Sequence, residues 1–139
     1  MDLIILREPW KDLFLLAFSG RGIRKKPTGF LLGQKMVDTY LVQKILVIPW
    51  PYLFSPAVFI ETESQEKLQI LGVFNFGQGA EVKENMKQPL FCEKVILSIK
   101  TEKPAGLTIH SRIVRFDRGF YFVRPDRLVL EMEEKNGRK

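Results

Sequence analysis

The stretch Ile70-Leu71-Gly72-Val73-Phe74-Asn75-Phe76-Gly77-Gln78 constrains the fold more than any other. An apolar run of strand length ends there in a polar, glycine-rich bend, which predicts a central strand with a loop hung on its end. Such strand ends are common mounts for chemistry, because loops on rigid elements carry function. This bend offers Asn75 and Gln78 but no His, Cys, Asp or Glu. It lacks the usual donors for a metal or a proton.

A chain of 139 residues can bury a core without staples, so one domain over residues 1–132 is expected, with a charged, frayed tail at 133–139. Hydrophobic residues at 45% and charged residues at 27% fit a folded soluble protein. The single cysteine, Cys92, excludes an internal disulfide framework and fits a reducing compartment, so a cytoplasmic location is expected. Arg7-Glu8-Pro9 interrupts the apolar start, and no signal peptide is expected. No apolar run approaches the roughly 18 residues that a membrane span needs, so no membrane partner is expected. The formal charge of +6 either keeps the chain soluble or attracts anionic partners, nucleic acid among them.

Residues 3–6 read as a short strand. Glu8-Pro9-Trp10 then opens a helix whose buried face is Trp10, Leu13, Phe14 and Ala17. Gly20-Arg21-Gly22 stops it. Arg21, Arg24, Lys25 and Lys26 form a basic connector, either solvated or an anion patch. Residues 28–36 and 40–48 read as a hairpin with at least one strand covered on both faces. Pro49, Pro51 and Pro56 keep the next segment out of a sheet. Its aromatics Trp50, Tyr52 and Phe54 either fold over the core or anchor a partner. A strand is expected at 57–61, a polar connector at 62–66, and about two helical turns at 80–87 with Val82 and Met86 on one face. A strand at 94–100 and a turn at 103–106 follow. Residues 107–116 and 120–124 form a hairpin with Gly119 left-handed. Residues 128–132 add a last strand or a short helix.

Two local matches resemble the JAB/MPN domain, the fold of the JAMM metalloproteases. Pro27-Thr28-Gly29-Phe30-Leu31-Leu32-Gly33 is similar to that family's early glycine-flanked strand, and Gly72-Val73-Phe74 to the lead-in of its metal motif. In active members two histidines and an aspartate hold zinc and leave a position for water, which the metal activates. A glutamate before the early strand serves as general acid/base. Carried across, the histidines fall on Asn75 and Gly77, the serine and aspartate of the motif on Met86 and Pro89, and the glutamate on Lys26. Every ligand is replaced. The resemblance therefore implies a degenerate member without zinc or another cofactor. The connector at 62–66 is also too short for the helix that the family has there.

His110, the only histidine, stands in an alternating strand, and Cys92 matches no nucleophile signature. Arg112, Arg115 and Arg124 fall in the final hairpin beside Phe122. If they converge, they make a platform for single-stranded nucleic acid, since bases stack on aromatics beside phosphate-binding cations. The expected fold is a single α+β domain with a mixed, mostly antiparallel sheet and few helices, MPN/JAB-like. The expected function is a non-catalytic scaffold or protein-interaction module, with a protein partner or a homodimer. A basic nucleic-acid-binding domain is the alternative, and a hydrolase with an unrecognised site the third reading.

Overall fold

The computed structural model describes residues 1–19, 26–102 and 106–131. The helix stop at Gly20-Arg21-Gly22, most of the basic connector, the turn at 103–105 and the tail at 133–139 lie outside the described residues. The apolar and alternating runs become eight strands: β1 (Asp2–Ile5), β2 (Gly29–Lys35), β3 (Thr39–Val47), β4 (Gln69–Asn75), β5 (Val95–Glu102), β6 (Gly106–Phe116), β7 (Phe120–Val123) and β8 (Arg127–Leu130). Between them lie α1 (Arg7–Ser19), α2 (Trp50–Leu53), α3 (Pro56–Glu66), α4 (Gly79–Asn85) and a single 3-10 turn, Pro89–Phe91. The strands form one sheet in the order β7-β6-β5-β4-β2-β3-β1-β8. β1 runs parallel to β3 and β8, and β4 parallel to β5; the other neighbours are antiparallel.

β2 and β4 sit mid-sheet and are buried along most of their length. Their double-sided apolar character follows, because helices cover both faces. On one face α1 lays Trp10, Leu13 and Ala17 on Leu3, Leu71 and Phe74. On the other, Leu53, Phe59, Val82 and Phe91 cover Phe30, Val73 and Ile96. The alternation of β4 slips at Gly72: Ile70 and Val73 share one face, Leu71 and Phe74 the other. The β2–β4 register jumps at the same place, so this is a bulge. A Cβ on Gly72 would lie 2.1 Å from the Val95 carbonyl oxygen, so no larger residue fits that approach. A second register shift separates Leu32 and Gly33 along β3. Bulges bend strands and raise their twist; the extra residues are Leu71 of β4 and Gln43 of β3, so both bulges flank the central strand β2.

The curl has a second, independent sign. β7 and β8 are the two edges of the sheet, yet only Arg124, Pro125 and Asp126 connect them. That link spans about 14 Å at most. In a flat sheet, seven interstrand spacings would hold the edges roughly 34 Å apart. The sheet therefore curls into a half-barrel.

The expectation of an α+β, MPN/JAB-like fold is overturned on this point. Strands make up 45% of the structure against 31% helix, in one curled sheet that organises the whole chain. The reason is the pair of bulges, which bend the central strands in a way that apolar content alone does not reveal.

Four local expectations also change. Residues 57–66 form a helix, not a strand and connector. Ser55 Oγ caps it by accepting from the Val58 N–H (3.4 Å), Pro56 fits the first turn, and Lys67 closes it in the left-handed region (φ 60°). The run Val58-Phe59-Ile60 was too short for periodicity to separate strand from helix. Residues 50–53 form a helical turn rather than an open loop. Phe14 lies on the outer side of α1, 43% exposed, against the rings of Trp10 and Phe18. In the β6–β7 hairpin the left-handed residue is Arg118 (φ 70°), not Gly119. Residues 127–130 form a strand, since β1 offers a parallel edge to pair with.

Candidate anion-binding cleft

β4 ends beside its parallel neighbour β5, with Asn75 in register with Ser98. Asn75 is fully buried, and its Nδ2 donates to Ser98 Oγ (3.0 Å) and to the Leu97 carbonyl (3.5 Å). Its Oδ1 accepts from the Gln78 N–H (3.0 Å), and Gln78 Oε1 accepts from the Phe76 N–H (3.1 Å). Gly77 turns the chain at φ 95°, where an L side chain is strained. The polar side chains of the bend are thus spent on its own backbone and on the neighbouring β5. They lock the bend rather than meet a ligand.

The ligand space lies beside them. A cleft of about 390 Å³ opens between the bend, the start of α4 and the β5–β6 pair. On β5, alternation turns Ile96, Ser98 and Lys100 to one face. Register sets His110 opposite Ser98 and Arg112 opposite Ile96, so those side chains share that face. α4 buries Val82 and Met86 and holds Lys83 at the rim, its Nζ 5.5 Å from the centre of the Phe122 ring. Gly79 lets α4 come close, since a Cβ there would sit 3.1 Å from Ser98 Oγ. Lys83, Lys100, His110 and Arg112 all line the cleft, and among the described residues no carboxylate does. Its potential is positive.

A second cleft of about 330 Å³ shares His110 and Arg112 with the first. Arg124 and Arg127 close it at the seam where β7 gives way to β8. Arg127 is held by Asp2 (2.7 Å), which keeps the Asp2 carboxyl below its ordinary range, and Asp126 is held by the amino terminus (2.6 Å). A smaller cleft of about 190 Å³ lies on the far side of Gly77, between Lys26, Phe76 and Lys100. Among the described residues no group of three or more His, Cys, Asp or Glu side chains could hold a metal ion.

Of the degenerate motif positions, Lys26 and Gly77 line one cleft, with Asn75 in the same bend. Met86 is buried under α4, and Pro89 opens the 3-10 turn. Cys92 follows that turn, half-buried, and lines none of these clefts. His110 is exposed on the wall shared by both clefts. Of the hairpin set, Arg112 and Arg124 converge, and Phe122 lies on the same face as Arg112. Arg115 does not join them. Alternation turns it to the opposite face, where its Nε meets Glu93 Oε2 at 3.1 Å. Trp50 meets Phe54 edge-on (5.3 Å), Phe54 meets the buried Phe91 (5.9 Å), and Tyr52 stays outward. Sequence reasoning missed Lys83, Ser98 and Lys100. The period-two spacing of Ile96, Ser98 and Lys100 was the available signal.

Fold and cleft together define a curled mixed sheet with a cationic recess at the carboxyl end of its central parallel pair. No protein-family model and no curated protein matches the chain. Among solved structures it is similar to the solution structure of protein DSY2949 from Desulfitobacterium hafniense, a Northeast Structural Genomics Consortium target. The TM-score is 0.65 and the identity 14%, over 97% of each chain. At that identity the likeness shows the fold alone. No described helix is long and apolar enough to cross a membrane.

Proposed function

We propose that this chain is a non-catalytic binding module that takes an anionic partner in the cleft between α4 and the β5–β6 pair. The observation that carries the reading is the convergence of Lys83, Lys100 and Arg112 with His110 on one recess that no described carboxylate lines. An anionic group there would gain several charge-assisted contacts at once, with no like-charged group to oppose it. The absence of chemistry has its own support. Asn75 and Gln78 are committed to the bend, and Cys92 does not share with His110 the clefts that His110 lines, as a nucleophile–base pair would.

The test is titration with inorganic polyphosphate, followed by amide shifts. The expected shifts concentrate at Gly77, Gly79, Lys83 and His110, and the double variant Lys83→Ala/Lys100→Ala binds about tenfold more weakly at low salt. Scattered shifts with unchanged affinity in that variant reject the cleft. Elemental analysis checks the second half: stoichiometric zinc bound near Asn75 would overturn the non-catalytic reading.

A further inference from the structure

Resting on that reading, we infer that the anionic partner is a single-stranded nucleic acid. Its phosphates follow the two adjoining clefts, and its bases meet the aromatic rungs of the β6–β7 hairpin. Strand register sets the two kinds of contact side by side. One face of β6 carries Arg112, Val114 and Phe116, about 7 Å apart in succession. β7 places Phe122 opposite Val114 and Phe120 opposite Phe116. Phe116 is 57% exposed, and its ring meets that of Phe120 at 5.0 Å and 66°. Lys83 Nζ stands over the Phe122 ring.

The shape of the positive surface favours a polymer over a single ion. The clefts share His110 and Arg112, so the charge runs on from Lys83 and Lys100 to Arg124 instead of ending in one pocket, and Asp126, which also lines the second cleft, is paired with the amino terminus. An acidic peptide would match that charge but bring no flat surface to the exposed Phe116 ring. A nucleotide chain brings both, because every base has a π-face and every linkage a phosphate. A duplex keeps its bases stacked inside, beyond the reach of these rings.

Binding of a labelled oligothymidylate of about 12 nucleotides by the full chain, as a function of salt, tests the assignment. Three or four phosphate contacts give a log–log salt slope of about −2 to −3. Lys83→Ala and Lys100→Ala should each weaken binding and take about 0.7 off that slope. Phe116→Ala should weaken binding about fivefold or more and leave the slope unchanged, because a lost stack releases no counterion. Phe116 is the diagnostic ring since Phe122 also packs on the core, and its variant should melt like the parent. Polyphosphate or polyglutamate that competes better than the oligonucleotide, with Phe116→Ala silent, overturns the nucleic-acid assignment and leaves the anion cleft standing. A duplex that binds as well as the single strand overturns it too. If none of these polyanions responds to the lysine variants, both the assignment and the proposed function fail.

Discussion

Phe91→Ala is the substitution whose cost the structure specifies best. Phe91 is fully buried yet sits on a three-residue 3-10 turn with little backbone support of its own. Its ring meets Phe54 at 5.9 Å and 75°, and Phe59 at 5.6 Å and 84°. Phe59 in turn meets Phe30 of β2, and Phe54 meets Trp50. One ring therefore ties α2, α3 and the turn after α4 to the central sheet. Truncating a buried Phe to Ala costs about 3–5 kcal/mol. Two edge-to-face pairs at about 0.5–1.5 kcal/mol each supply about 1–3 of that. Phe91→Leu refills most of the volume and loses chiefly the ring pairs, so it should cost about 1–3 kcal/mol. A domain of this size holds only about 5–15 kcal/mol in all, so the alanine variant should lose a large share of its stability. Urea unfolding followed by far-UV circular dichroism reads both values, and a double-mutant cycle with Phe54→Leu should return a coupling of about 0.5–1.5 kcal/mol. A cost below about 1 kcal/mol for Phe91→Ala, or zero coupling to Phe54, would refute the aromatic tie.

Three further outcomes are expected. Burial first, and the Glu93 carboxylate second, push the Tyr40 hydroxyl up to about 12 from an ordinary 10.0. The unfolded chain thus loses that proton first, and stability should fall by roughly 2–3 kcal/mol between about pH 10 and pH 12. Tyr40→Phe should flatten that fall in urea titrations, and an unchanged slope would assign it elsewhere. Gly72→Ala drives a Cβ against the Val95 backbone, which cannot swing aside as a side chain would, so it should cost about 3 kcal/mol and lower Tm by about 10 °C; a parent-like melt would contradict the close approach of β4 to β5. Asn75→Ala removes three hydrogen bonds at a buried position, so a loss of about 2–3 kcal/mol and faster amide exchange at Gln78 are expected. Unchanged exchange at Gln78 would show that Asn75 does not lock the bend.

The elements read most easily from the sequence were those whose periodicity is long enough to choose one structure. The buried face at Trp10, Leu13 and Ala17 in α1 was one, and the β2–β3 and β6–β7 hairpins were others; so were β4 with its bend and the Val82–Met86 pair under α4. Each is a local property, legible because 3.6 and 2.0 are distinct periods. Where an apolar run was short, as at Val58-Phe59-Ile60, the chain was ambiguous, and a cap at Ser55 and the available face of the sheet decided for helix. The cleft was less legible still. His110 and Arg112 stood out as residue types, but their meeting with Lys100 depends on the β5–β6 register, and with Lys83 on how closely Gly79 lets α4 approach Ser98. The seam to Arg124 depends on the curl. That curl is set by the bulges beside Gly72 and Gly33, and by a three-residue link between opposite edges. The chemical types of the site were therefore inherent in the chain. Their convergence was decided by pairing partners distant in sequence, because a cleft is defined by distances between strands and a sequence specifies only distances along one.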